Sequence, residues 1–120
     1  MTQSKYIAAI GYSDQRAVDI ASDGNGHFYI TALGRQSTSG GGDRVLIFEV
    51  DATGVVLNNY EVASSNSYEG LYPLHSIYHT NGQLYICGYM TQNSTQFPAE
   101  PSFAGYGSKY GFVIRVDPVT

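Results

Sequence analysis

The chain has 120 residues, a net charge of −4, only 13% charged residues, and 14 glycines beside 11 tyrosines. Its 6 lysines and arginines form no basic stripe that could neutralise a run of phosphates, which argues against nucleic acid as a partner. No apolar run approaches the roughly 18 residues of a membrane helix, and the apolar stretch in MTQSKYIAAIGYSD is too short for a secretory signal.

Helix formers are sparse, while Val, Ile, Tyr, Phe and Thr recur in short runs bounded by Gly, Asn, Asp and Ser, so an all-β protein is predicted. In chain order the first strand is Lys5-Tyr6-Ile7-Ala8-Ala9-Ile10-Gly11. A strand over 16–22 follows, then a turn at Asp23-Gly24-Asn25-Gly26, a strand over 27–33, and a Ser/Gly-rich loop over 34–43. The strand over 44–50 turns through Asp51-Ala52-Thr53-Gly54 into another over 55–62. The rest reads as a strand over 74–79, a turn at Thr80-Asn81-Gly82, a strand over 83–90, a long loop over 91–109 and a strand over 110–116. Asn and Gly at the turns supply the positive φ angles that short hairpins need.

Two blocks recur in the same order. Asn25-Gly26-His27-Phe28-Tyr29-Ile30 returns as Asn81-Gly82-Gln83-Leu84-Tyr85-Ile86, and Leu46-Ile47-Phe48-Glu49-Val50-Asp51 as Phe112-Val113-Ile114-Arg115-Val116-Asp117. A period of this length marks propellers and solenoids. The chain is therefore predicted to be a single unit over 1–120 holding two four-stranded antiparallel β-propeller blades, repeat one over 16–62 and repeat two over 74–118. The second repeat lacks its fourth strand, and the strand over 5–11 is the offset fourth strand that completes the last blade of the same or a neighbouring chain.

Val45-Leu46-Ile47-Phe48 and Phe112-Val113-Ile114 are apolar at consecutive positions, so both faces of their sheets have to be covered. Propeller rings usually hold four to eight blades, and two do not close one. Head-to-tail self-association is expected, through Tyr6, Ile7, Ile10, Leu46, Phe48, Phe112 and Ile114. Three chains giving six blades is the first expectation and four giving eight the second; contacts that fail to close would build a filament.

The second repeat carries a family likeness. Asn81-Gly82-Gln83-Leu84-Tyr85-Ile86-Cys87-Gly88-Tyr89-Met90-Thr91, then Phe97-Pro98, Pro101-Ser102-Phe103 and Gly111-Phe112-Val113-Ile114-Arg115-Val116-Asp117-Pro118 resemble the bacterial β-propeller repeat called SBBP in order and spacing. The first repeat resembles a degenerate version: it keeps Asp23, Gly26, Tyr29, Ile30 and Thr31 but lacks Phe-Pro, and Ala32 stands where the pattern has Gly. The resemblance implies a propeller of exported, surface-associated type with no catalytic residues to carry over.

Chemistry is thin. His75 and His79 sit four apart, but on a strand that spacing separates Cα atoms by roughly 13 Å, too far for one ion. Asp23-Gly24-Asn25-Gly26 lacks the alternating carboxylates of a calcium loop and reads as a hairpin turn; Asp51 and Asp117 likewise read as acceptors for turn amides. Cys87, between Ile86 and Gly88, reads as a small buried hydrophobe. No nucleophile elbow or phosphate loop is present, so neither enzymatic activity nor a metal or other cofactor is expected.

The remaining feature is the loop region from 89 to 110, where Tyr89, Gln92, Asn93, Gln96, Tyr106 and Tyr110 offer flat apolar area beside hydrogen-bonding groups. The leading expectation is a non-enzymatic structural protein of an extracellular or virion assembly, such as a phage tail or capsid appendage. The alternative is a surface module that binds glycan or protein through the 89–110 loop. A remoter one is a piece of a larger propeller whose activity lies elsewhere. With no export signal in these residues, a cytoplasmic location stays open beside the extracellular one.

Overall fold

The computed structural model describes residues 12–36, 44–62, 70–90 and 110–118. They form seven strands: β1 (Tyr12–Ser22), β2 (His27–Gln36), β3 (Arg44–Asp51), β4 (Val56–Val62), β5 (Leu71–Tyr78), β6 (Leu84–Met90) and β7 (Tyr110–Val116). The first four make an antiparallel meander in the order β1-β2-β3-β4, and the last three a second one, β5-β6-β7. No helix occurs among the described residues. The strand expected over 5–11 lies outside them.

Three hairpins share one turn design. Asp23, Asp51 and His79 each donate their backbone N–H to the carbonyl four residues on, at 3.1, 3.0 and 2.9 Å, enclosing three residues that end in Gly26, Gly54 and Gly82. Those glycines have φ of 90°, 86° and 89°, the left-handed region that a three-residue hairpin needs at this position. The side chain opening each turn accepts the amide two residues on: Asp23 Oδ1 from Asn25 at 2.7 Å, Asp51 Oδ1 from Thr53 at 2.9 Å, and His79 Nδ1 from Asn81 at 3.2 Å.

The sequence repeat is also a repeat of register. Tyr29 lies opposite Glu49 as Tyr85 lies opposite Arg115, and Phe28 opposite Val50 as Leu84 opposite Val116. The first strands of the two sheets have little identity, yet they slip register at the same place, between Ala17 and Asp19 in β1 and between Pro73 and His75 in β5. The skipped residues, Val18 and Leu74, are both exposed.

The sheets pack face to face. Tyr29, Val45 and Ile47 of the first meet Leu71, Leu84, Ile86, Met90 and Phe112 of the second in one core, with Ala21 at its edge. On the opposite side of the first sheet, Ala32, Leu46, Phe48 and Val50 form a separate buried cluster. Unbroken burial from Val45 to Val50 follows from β3 being apolar on both faces. Each fully buried Leu or Ile stabilises by about 1.5–3 kcal/mol relative to exposure, so the inter-sheet core dominates the fold.

Candidate functional site

Two surfaces stand apart from the core. The first is the outer face of the second sheet, where the register runs His75–Cys87–Val113 in one row across β5, β6 and β7 and Ile77–Tyr85–Arg115 in another. Val113 is 71% exposed and Ile77 61%, with Cys87 exposed beside Val113 in its row. This corrects the reading of Cys87 as a buried hydrophobe. Strand alternation turns Leu84, Ile86 and Met90 inward and leaves Cys87 outward.

Four of the residues expected to mediate self-association, Leu46, Phe48, Phe112 and Ile114, fall elsewhere. Phe112 is buried and Ile114 half-buried in the inter-sheet core, and Leu46 and Phe48 are each 3% exposed within the single chain. Tyr6, Ile7 and Ile10 lie outside the described residues. On this face the exposed large apolar side chains among the described residues are Ile77 and Val113, which alternation along β5 and β7 identifies once the inward residues are known.

The second surface is a cleft of about 240 Å³ lined by Asp14, Arg16, Leu33, Arg35, Tyr72 and Tyr89. Its first wall is built by the β1-β2 hairpin, which sets Asp14 opposite Arg35 and Arg16 opposite Leu33. Its second wall is Tyr72 and Tyr89, register partners whose rings stack at 4.9 Å between centroids and 17° between planes. Arg16 and Asp14 approach to 3.7 Å, with side chains 73% and 55% exposed.

Glycine makes room for this wall. A Cβ on Gly70 would lie 2.8 Å from the Tyr72 ring, and one on Gly88 would lie 2.0 Å from the Tyr72 carbonyl oxygen.

Of the residues expected to bind a ligand, Tyr89 is in this cleft, and Tyr110 opens β7 opposite Met90. Gln92, Asn93, Gln96 and Tyr106 lie outside the described residues. Asp14, Arg16, Arg35 and Tyr72 were not foreseen; the turn at 23–26 fixes the β1-β2 pairing, but no local motif links that pair to Tyr72 and Tyr89.

Polar groups at the sheet ends have structural partners. Asp51 Oδ1 accepts from the Thr53 hydroxyl and from the Thr53 and Val55 amides, and these bonds, the hydroxyl's first, lower its pKa. Burial pushes the Asp23 carboxyl up, but the Asn25 and His27 amides with the His27 ring outweigh it and leave the pKa lowered. Asp117 Oδ1 accepts from Gln83 Nε2 at 2.6 Å, tying the end of β7 to the β5-β6 turn.

Glu49 is buried at 4% exposure, where its Oε2 accepts from Asn58 Nδ2 at 3.0 Å and the Tyr60 hydroxyl at 3.4 Å. Burial, and after it the nearby Glu49 carboxylate, raises the pKa of the Tyr29 phenol, whose ring stacks on Tyr78 across the sheet interface. His75 is exposed on β5 and His79 serves its turn. Among the described residues no group of three or more His, Cys, Asp or Glu could hold a metal ion.

These features define an all-β protein of two face-packed antiparallel sheets, with Ile77, Cys87 and Val113 exposed on the outer face of the second and a small cleft whose lining includes Asp14, Arg16, Arg35, Tyr72 and Tyr89. No known protein family, curated protein or solved structure matches the chain.

Proposed function

We propose that the chain is a non-catalytic structural building block: two blades of a propeller, of the SBBP-like type its second repeat resembles, that self-associate head to tail. An extracellular or virion assembly is the setting that fits such a block.

One observation carries this reading. The first sheet's face that packs on the second sheet is built by Tyr29, Thr31 and Ile47, at 3%, 0% and 0% exposure. Their equivalents in the second sheet are Tyr85, Cys87 and Val113, the open outer face. The face packed against it inside the chain carries Leu84, Ile86, Phe112 and Ile114, whose equivalents Phe28, Ile30, Leu46 and Phe48 lie on the far side of the first sheet. The contact between the sheets is thus heterologous, and repeating it between chains adds copies in one direction until a ring closes or a filament grows.

Leu46 and Phe48 are closed over in the single chain, so this acceptor face has to open before a neighbour docks. Such a requirement lowers the apparent affinity by the fraction of open chains and makes assembly concentration-dependent.

The test is light scattering on the full chain from micromolar to millimolar concentration, alongside Val113→Arg. A mass rising to three or more multiples of 13.0 kDa, abolished by Val113→Arg, is the expected result. A mass fixed at one chain throughout would exclude self-association, and a dimer that goes no further would exclude the head-to-tail mode.

A further inference from the structure

Two of the hairpin turns carry the same dipeptide, Asn25-Gly26 and Asn81-Gly82, under different restraint. We infer that Asn25 is a site of spontaneous deamidation through a cyclic imide, and that the turn at Asn81 resists the same reaction. This goes beyond the assembly reading and does not depend on it.

The reaction needs two groups of the chain to be free. The backbone nitrogen of the following residue attacks the asparagine Cγ and forms a C–N bond, while the bond from Cγ to Nδ2 breaks. The amide proton departs with Nδ2 as ammonia. Water then opens the imide at either carbonyl, giving aspartate or its β-linked isomer. A following glycine has no side chain to obstruct the approach. Hydrogen bonds that hold the carboxamide or the attacking N–H keep the two out of the geometry of attack.

At Asn81 both groups are held. Its Oδ1 accepts the Gln83 N–H at 3.1 Å, and its Nδ2 donates to Gln83 Oε1 at 3.0 Å and to the Tyr85 hydroxyl at 3.2 Å. The attacking nitrogen, that of Gly82, donates to the His79 carbonyl at 2.9 Å. In the first turn Asp23 Oδ1 accepts the Asn25 and His27 amides at 2.7 and 3.1 Å, and neither bond touches the reacting groups. Among the described residues the Asn25 carboxamide and the Gly26 N–H have no hydrogen-bond partner. Exposure does not separate the sites, since all four residues are exposed.

Gly24 accounts for the difference. The position after the turn's opening residue is Ala52 or Thr80 in the other two turns, and there the closing glycine donates back to the opening carbonyl, Gly54 to Asp51 at 3.0 Å as Gly82 to His79. Gly24 instead has φ of 79°, a left-handed conformation that Ala and Thr rarely adopt. Its N–H donates to Ser22 Oγ at 3.0 Å, and the Gly26 N–H makes no bond to the Asp23 carbonyl. The β-linked product lengthens the main chain by one atom and adds a carboxylate beside Asp23, which loosens the turn that fixes the β1-β2 pairing.

The test is incubation of the full chain at mildly alkaline pH and body temperature, with the chain unfolded in urea as reference. Peptide mapping by mass spectrometry reads the mass gain and the β-linked product at each site. Unfolded, the two sites are expected to react at similar rates. Folded, Asn25 is expected to react at least about tenfold faster than Asn81, because each hydrogen bond that has to open slows the reaction by about fivefold. Gly24→Ala, with open space for its Cβ, is expected to slow Asn25 by about fivefold by giving Gly26 the bond that Gly54 and Gly82 make. Gln83→Ala, with folding checked by circular dichroism, is expected to speed Asn81. Equal rates in the folded chain, faster reaction at Asn81, or an Asn25 that reacts only in urea would overturn the inference. An unchanged Asn25 rate in Gly24→Ala would reject the Gly26 amide as the cause, and an unchanged Asn81 rate in Gln83→Ala would reject the protection assigned to its side-chain bonds.

Discussion

Asp19 Oδ2 accepts the backbone N–H of Ser76 at 2.6 Å and lies 3.3 Å from the Ser76 hydroxyl, joining β1 to β5 across the sheet interface. Both residues stand beside a register slip, Asp19 directly after Val18 and Ser76 two positions after Leu74. An amide turned out of its ladder and buried needs an acceptor, and Ser76 is only 7% exposed. Asp19→Ala leaves that amide unpartnered, so a loss of about 1–2 kcal/mol is expected in chemical denaturation. A change below 0.3 kcal/mol would show that the two slips hold together without this bond.

Acid should act through the same carboxylate. The Ser76 amide, opposed by burial, lowers the Asp19 pKa, and the pKa values of Asp23 and Asp51 are lowered too. A carboxyl that is more acidic in the folded chain contributes stability that is present above the unfolded value near 4 and is lost as pH falls through the folded one. Melting temperature should therefore hold steady from pH 7 to about 5 and fall below about 4. Asp19→Asn should lower the plateau and flatten the acid limb; an unchanged limb would assign acid sensitivity to other groups.

Gly88 and Ala32 are equivalent positions, opposite Pro73 and Ala17. A Cβ at Gly88 would meet the Tyr72 carbonyl oxygen at 2.0 Å and the Pro73 Cα at 2.9 Å, both backbone atoms that cannot swing aside. Gly88→Ala should then cost at least the 1–3 kcal/mol typical of overpacking. Ala32→Gly removes a methyl from a strand and should cost about 1 kcal/mol. If urea denaturation gave the two the same small effect, the close approach of β5 to Gly88 would be disproved.

Much of this architecture was legible in the residues. The repeated Asn-Gly blocks fixed the hairpins, and with them the strand pairings and the equivalence of Tyr29 with Tyr85. What stayed hidden depends on contacts between segments with no shared local signal. The slips at Val18 and Leu74 are unmarked because β1 and β5 differ in sequence, and Cys87 looked buried because its apolar neighbours do not reveal which face each occupies. The cleft was invisible for the same reason, since Arg16 and Tyr89 come together only when the two sheets pack. Nothing tied Asp19 to Ser76, which are far apart in the chain and chemically ordinary.

His79 occupies the turn position that Asp23 and Asp51 hold elsewhere, accepting the Asn81 amide through Nδ1. An aspartate there can accept the amides two and four residues on with one oxygen, as Asp23 and Asp51 do. In the His79 turn the Gln83 amide is served instead by Asn81 Oδ1. His79→Asp should be neutral or stabilising by up to about 0.5 kcal/mol, while Gly82→Ala, at φ 89°, should destabilise by about 1 kcal/mol or more. Thermal melts of the two variants check the pair, and a clearly destabilising His79→Asp would refute the shared turn design.

Along β6 and β7 neighbouring side chains differ sharply in their surroundings. Ile86 is fully buried between the sheets, and Ile86→Ala should cost about 2–5 kcal/mol. Val113, 71% exposed, should lose less than about 0.5 kcal/mol on truncation to Ala in the dilute single chain. Thr31 is also fully buried, and its hydroxyl has no hydrogen-bond partner among the described residues, so Thr31→Val should be neutral or stabilising by about 1 kcal/mol. Similar losses at Ile86 and Val113 would contradict the assignment of inner and outer faces.

Cys87 reports on the outer face directly, because it is exposed in the single chain and lies opposite His75 and Val113. At low concentration a thiol reagent should label it completely and at the rate of an unhindered cysteine. If copies stack on this face, labelling should slow at least tenfold as concentration rises, while Val113→Arg should keep the fast rate at every concentration. The rate separates two causes of protection, since burial in the folded chain slows labelling at all concentrations and association slows it only at high ones. Fast labelling that persists in a demonstrated oligomer would move the contact to another surface, leaving the equivalence of Tyr29, Thr31 and Ile47 with Tyr85, Cys87 and Val113 as a mark of the repeat alone.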